Sequence, residues 1–324
     1  MADTQPVIKP DKILKELGDL WTTMGKPDAG EEAADTGTSD SLGGGVLRAC
    51  SMTLQFFVDD EEDSMALGET LAVLMKEHPS RAVVVRLKEG EDFLDARVFA
   101  QCWMPFGHRR QICCEQVEIT STMDRLADVA AIVGPLAVPD LPRMILLRSA
   151  RIVRAGALRK ILSLGDKIIV DSSRPGAPGF GELGGLLDAG HIVGDLAWTR
   201  ITEIRALLFQ LLENRAPKNI AIEYSGKEAG AEARYLEAWL QAGLPEARVA
   251  VKRSGAPGDG KISAIQINGD LKVQIAPGAA EYDLGDLHRR ASLPLGTDEE
   301  LFNSELSIVA HDGAFERALN FITA

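Results

Sequence analysis

Little in this 324-residue sequence is arranged for chemistry. Cysteine occurs four times and histidine five times, and neither falls into a CxxC or HExxH spacing. His78, His108, His191, His288 and His311 are scattered along the chain, so the sequence offers no metal site. It has no P-loop, no Gly-x-Ser-x-Gly elbow and no spaced acidic pair of catalytic type. Apolar runs stay short of the roughly 18 residues that span a bilayer. Positive charge is also scarce, with 35 Lys and Arg against 48 Asp and Glu, a net charge of -13. That field repels nucleic acid and anionic lipid, and it argues against both as partners. The opening stretch MADTQPVIKPDKILKEL lacks an apolar signal core, so a cytoplasmic location is expected, where permanent disulfides are rare.

What is present is the composition of a folded protein, with 45% hydrophobic residues and enough length for two domains. Ile13, Leu14, Leu17, Leu20, Trp21 and Met24 recur at helical spacing, predicting an amphipathic helix over 10–24. Such a helix either packs on its own domain or docks into a partner's groove. The stretch 25–45 is small, acidic and glycine-rich, and reads as a flexible linker. From 46 onward, strand-like runs (46–60, 81–87, 95–106, 109–120, 143–149, 167–173) alternate with helical stretches, the last of them over 195–214. After residue 216 the pattern restarts with IAIEYS, a helix over 231–242, three short strands and a final helix from about Asp298. The expected architecture is therefore α/β. A helix and linker (1–45) precede two α/β domains with mixed sheets, 46–216 and 217–324.

The vicinal Cys113 and Cys114 lie in a strand-like run, so their side chains point to opposite faces. Gly107-His108 suits a two-residue hairpin loop, which would set Cys102 opposite Cys113, within disulfide range. A three-residue loop would pair Cys102 with Cys114 instead. The simpler reading makes all three half-buried structural thiols of the core. The stretch GFGELG (179–184) matches GxGxxG, but RPGAP separates it from the preceding strand, and two glycines fall inside the following helix. A polar loop at 171–181 with Ser172, Ser173 and Arg174 could instead hold a small anion or a sugar phosphate. In GDLAWTRITEIRALL, Asp195 is placed to cap a helix whose apolar stripe includes Trp198. Arg200 and Arg205 lie off that stripe, either in surface salt bridges or as an oxyanion clamp.

Several stretches together resemble the OpcA family of glucose-6-phosphate dehydrogenase assembly proteins. They are HPSRAVVV, QICCEQVEI, PDLPRMILL with IIVDSS, GDLAWTRITEIRALL and LFNSELSIVAHDGAFERAL, in this order, with Leu20 and Trp21 of the leading helix. The resemblance implies a non-catalytic protein that binds glucose-6-phosphate dehydrogenase and supports its assembly or active state in the oxidative pentose phosphate pathway. The sugar phosphate and NADP sites would belong to that partner, leaving this chain with no cofactor of its own. It also singles out Pro79, Ser80, Arg81, Cys114, Glu115, Gln116, Asp171, Ser172, Asp195, Trp198, Thr199 and Arg200. A second reading makes the chain a sugar-phosphate sensor or enzyme using the 171–181 loop and Arg200. Redox behaviour, if present, would fall on Cys102, Cys113 and Cys114.

Overall fold

The computed structural model describes residues 8–24, 46–104, 111–153, 158–213, 215–284, 286–294 and 296–324. The expected linker at 25–45 and the Gly107-His108 turn lie outside these residues. The chain divides into two compact units, Met1–Asp166 and Lys167–Ala324. The boundary expected near 216 falls in the second unit, between a helix and a strand.

In the first unit the elements are α1 (Pro10–Met24), β1 (Val46–Arg48), β2 (Met52–Asp59), α2 (Ser64–Glu77), β3 (Ser80–Leu87), β4 (Leu94–Trp103), β5 (Gln111–Ser121), α3 (Leu126–Leu136), β6 (Arg143–Leu147), α4 (Ala150–Val153) and α5 (Leu158–Leu162). Strand β3 lies between β2 and β5, all parallel, and β6 extends the sheet beyond β2. Strand β1 adds a short parallel pairing at the start of β5, while β4 runs antiparallel along the other edge of β5. Strands β2 and β3 are buried almost throughout, the polar Thr53, Gln55, Ser80, Arg81 and Arg86 included, as expected of parallel strands covered on both faces. Asp63 caps α2, accepting from the Met65 amide at 2.8 Å. Pro10 opens α1, where a missing N–H costs nothing. Ile13 and Leu17 of that helix are buried, and it packs on β4 and α3. Of the two readings of the leading helix, packing on its own domain is the one observed.

The second unit holds β7 (Lys167–Val170), α6 (Phe180–Asp188), β8 (Ile192–Asp195), α7 (Leu196–Arg200), α8 (Thr202–Leu212), β9 (Asn219–Tyr224), α9 (Ala231–Gly243), β10 (Arg248–Arg253), β11 (Ile262–Ile267), β12 (Leu271–Ala276), β13 (Ala279–Leu284), β14 (Leu287–Ser292), α10 (Asp298–Leu306) and α11 (Gly313–Thr323). Strands β7 and β8 pair in parallel. The others form a mixed six-stranded sheet in the order β10-β9-β11-β12-β13-β14, parallel only at β10-β9. Helix α9 covers β9 and β10 and packs against α11.

Two expectations change in detail. The run at 46–60 is broken at Ala49–Ser51 into β1 and β2. The helix expected over 195–214 breaks at Ile201, giving α7 and α8. Strands β8, β13 and β14 have no counterpart in the sequence reading: β8 is four residues with a central glycine, and β14 is mostly exposed and carries no apolar alternation.

Candidate functional site

Most of the residues singled out in the sequence gather into two clusters, one in each unit. In the first unit the pairing of Ala82 with Gln116 sets Arg81 beside Glu115 on one face of the sheet. Both are nearly shut off from solvent, at 7% and 3% exposure. Glu115 Oε2 accepts from Arg81 Nε at 2.5 Å, and Oε1 accepts from Trp21 Nε1 at 2.6 Å. Arg48 Nη2 lies 2.7 Å from the same oxygen, and its guanidinium sits 5.7 Å from the centre of the Trp21 ring. Arg81 also donates to the Leu136 carbonyl at 2.8 Å. One carboxylate thus ties α1, β1 and β3 to β5. Gln116, next in the strand, faces the other way and takes no part. Trp21 and Arg48 were not foreseen as partners of Glu115. The three meet only in the folded sheet, and no local spacing signals it.

The cysteines lie next to this cluster. The β4–β5 register places Cys102 directly opposite Cys113, and the two are joined in a disulfide with Cα atoms 4.1 Å apart. This corrects the reading of all three as core thiols. It also settles the register in favour of Cys113 over Cys114. The separation is nearer the ~4.5 Å of a non-hydrogen-bonded pair than ~5.5 Å. Partial burial holds only for Cys102, since Cys113 and Cys114 are fully buried. Cys114 points away from the bridge, with Sγ 3.4 Å from the Ala49 carbonyl. Burial pushes its thiol up to about 11, so it stays protonated and weakly nucleophilic.

The second cluster is built where β7 and β8 end and α7 begins. Asp195 has no exposure. Its Oδ1 caps α7 through the Ala197 amide (2.9 Å) and accepts from the Ser172 amide (3.0 Å), while Oδ2 accepts from Tyr235 Oη (2.7 Å). Burial raises its carboxyl to about 6, against the pull of these hydrogen bonds toward the charged form. The same burial, with the neighbouring carboxylate, pushes the Tyr235 phenol upward. Asp171 is held by a two-pronged contact from Arg200, Nη2 to Oδ2 at 2.9 Å and Nη1 to Oδ1 at 3.3 Å, and by Ser173 Oγ at 2.5 Å. Burial opposes ionisation of Asp171, but the hydrogen bonds and charge of Arg200 outweigh it and the carboxyl falls below its usual range. Arg200 also reaches Glu232 at 3.2 Å.

Trp198 donates to Asp312 Oδ2 at 2.9 Å and meets Tyr235 and Phe315 edge-on, at 5.8 and 5.9 Å between ring centres. Lys167 Nζ donates to the Glu305 carboxylate and carbonyl, both at 2.7 Å, and Thr199 donates to the other carboxylate oxygen. Gly194 leaves room for that pair, since a Cβ there would collide with the Glu305 carboxylate. The fold places the sequence candidates Asp171, Ser172, Asp195, Trp198 and Arg200 in one cluster, together with Tyr235, Glu305 and Asp312, which the sequence had not singled out.

GFGELG proves to be a helix start. Gly179 precedes α6, its amide donates to Glu182 Oε2 at 2.7 Å, and residues 171–178 separate it from β7. Among the described residues no group of three or more His, Cys, Asp and Glu is placed to hold a metal ion. Among them, too, no helix is long and apolar enough to cross a membrane.

Residues 72–182 match the family model for the glucose-6-phosphate dehydrogenase subunit N-terminal domain, and residues 191–319 match the one for its C-terminal domain. A curated protein of Synechocystis sp., the putative OxPP cycle protein OpcA, is 26% identical over 241 residues, covering 71% of this chain and 50% of that protein. The chain thus spans about half the length of the curated relative it matches. Similar solved structures include biliverdin reductase from Synechocystis sp. (TM-score 0.46, 10% identity, 83% of this chain and 96% of that one). Another is UDP-N-acetylglucosamine 3-dehydrogenase from Acidithiobacillus ferrooxidans (TM-score 0.43, 9% identity, 85% and 96%). At those scores neither likeness bears on function.

Proposed function

The chain belongs to the OpcA family of glucose-6-phosphate dehydrogenase assembly proteins, and from that premise we propose that it binds glucose-6-phosphate dehydrogenase and promotes its active state without catalysing a reaction itself. Its place would be the entry of the oxidative pentose phosphate pathway, in the cytoplasm. The observation that carries this reading is the pair of family models, N-terminal then C-terminal, matched in tandem along the chain.

The geometry of both clusters supports it. Glu115, Asp171, Asp195 and Arg200 spend their polar atoms on neighbouring side chains and on the backbone, as groups that fix a scaffold do. The sugar-phosphate reading loses support for the same reason. A phosphate reaching Arg200 would have to displace Asp171 and Glu232.

An activator acts through differential affinity. It must bind the active conformation or oligomer of the dehydrogenase more tightly than the inactive one. A tenfold shift needs only about 1.4 kcal/mol, within reach of a modest interface. The test mixes the purified chain with its cognate dehydrogenase and assays at subsaturating glucose 6-phosphate. Complex formation with a raised turnover or lowered KM is expected. Neither a complex nor a kinetic change would refute the proposal.

A further inference from the structure

A cavity of about 480 Å³ opens in the second unit beside α7, α8 and α10. Most charged groups that line it are already answered. Glu305 holds Lys167 and Thr199. Asp312 takes the Trp198 N–H and caps α11 through the Ala314 and Phe315 amides. Glu300 closes the capping box of α10 with Thr297, and Arg200 is spent on Asp171 and Glu232.

Arg205 is different. Its guanidinium lies 3.6 Å over the Trp198 ring, and Nη2 donates only to the Thr202 hydroxyl, at 3.0 Å. Its Nε is shielded from solvent with no hydrogen-bond partner. Among the described residues it makes no ion pair. Burial without a paired charge draws its pKa down to about 10, with Asp312 and Glu305 acting only at longer range in the other direction. One turn further along α8, about 6 Å by helix geometry, Phe209 is 67% exposed. With Leu212, Trp239, Leu240 and Leu244 it lines an apolar groove of about 360 Å³. Arg205, Phe209 and Leu212 follow the i, i+4, i+7 spacing of one helix face.

We propose that this face of α8 is a docking surface for a segment of the partner dehydrogenase bearing an acidic side chain and, within about one helical turn, a large apolar one. Arg205 takes the carboxylate and the Phe209 groove takes the apolar side chain. The inference rests on the proposed function and names the surface that serves it. A stacked guanidinium is held flat and presents its edge, the geometry that receives a carboxylate in two-pronged fashion. A singly charged carboxylate fits better than a dianionic phosphate, because Glu203, Glu300, Glu305 and Asp312 also line the cavity and repel charge in proportion. An exposed aromatic beside a partly desolvated arginine is the composition on which protein interfaces concentrate their affinity.

The full chain is titrated into its cognate dehydrogenase as wild type and as Arg205→Gln, Phe209→Ser and Glu203→Lys, with each variant's melting temperature as a folding control. Arg205→Gln and Phe209→Ser are each expected to weaken Kd about tenfold, about 1.4 kcal/mol. Glu203→Lys removes an exposed negative charge next to the site and should leave binding unchanged or tighter. If Arg205→Gln fails to fold, Phe209→Ser, at an exposed position, carries the test. Wild-type binding with Kd within twofold in both Arg205→Gln and Phe209→Ser overturns the docking surface and leaves the proposed function standing. No wild-type binding overturns both. Tenfold weaker binding by Glu203→Lys shows a basic occupant and overturns the carboxylate assignment. Stabilisation of wild type by millimolar glutarate, lost in Arg205→Gln while complex formation is unchanged, assigns the cavity to a small carboxylate instead.

Discussion

Replacing Glu115 by alanine removes the acceptor that joins three donors from three separate elements. Arg81 is buried, and breaking a buried pair by deleting one partner costs about 3–5 kcal/mol, because the remaining charge stays uncompensated. Arg48 is half exposed and adds little. The orphaned Trp21 N–H adds about 1 kcal/mol. The expected loss is therefore about 4–6 kcal/mol, a large part of the total stability of an ordinary domain. Glu115→Gln keeps one acceptor and should lose about half as much, while Trp21→Phe deletes only the N–H and should lose about 1 kcal/mol. Urea unfolding measures the totals, and hydrogen exchange locates them. Amides of 10–24 should lose protection first in Glu115→Ala and Trp21→Phe, because the Trp21 bond ties α1 to β5. A Glu115→Ala protein within about 1 kcal/mol of wild type, with α1 still protected, would refute the reasoning.

Asp195, raised from 3.8 to about 6 in the folded state, binds its proton more tightly folded than unfolded. Its contribution is fully present below pH 4 and is lost as pH rises through 6, by about 3 kcal/mol in all. The stability of wild type relative to Asp195→Asn should fall by this amount between pH 4 and 7 in paired urea titrations, and a pH-independent difference would contradict it. Cys102→Ser should cost about 3 kcal/mol from the eleven-residue separation that the bond closes, read as a drop in the urea midpoint under non-reducing conditions. In native protein iodoacetamide should modify the partly exposed Cys50 well before the buried Cys114. Gly194→Ala should lose about 1–3 kcal/mol by forcing the Glu305–Lys167 pair apart, measured by thermal unfolding.

Periodicity carried most of the fold. The stripe of α1, the apolar runs of β2 and β3 and the alternation near Cys102 and Cys113 each reported their element, because burial on one or both faces dictates residue type locally. Where burial does not dictate composition the signal vanished. The exposed β14 and the four-residue β8 with its glycine are examples. The break at Ile201 was hidden because one apolar stripe runs through both α7 and α8. For the candidate sites, the sequence named residues that the fold brings close together, but not their pairings. Asp195 read as a helix cap, and it is one, yet its phenol partner Tyr235 lies forty positions on. Arg200 and Arg205 looked like one clamp. The fold commits the first to Asp171, Glu232 and, at 4.0 Å, Asp298, and leaves the second stacked on Trp198 without a carboxylate.

The central claim is that this chain acts on glucose-6-phosphate dehydrogenase. The most direct measurement is co-purification of the chain with the dehydrogenase of its own organism, followed by an activity assay at subsaturating glucose 6-phosphate with the chain present and absent. A stable complex with raised activity is the predicted result. Separate elution with identical kinetics would contradict the account.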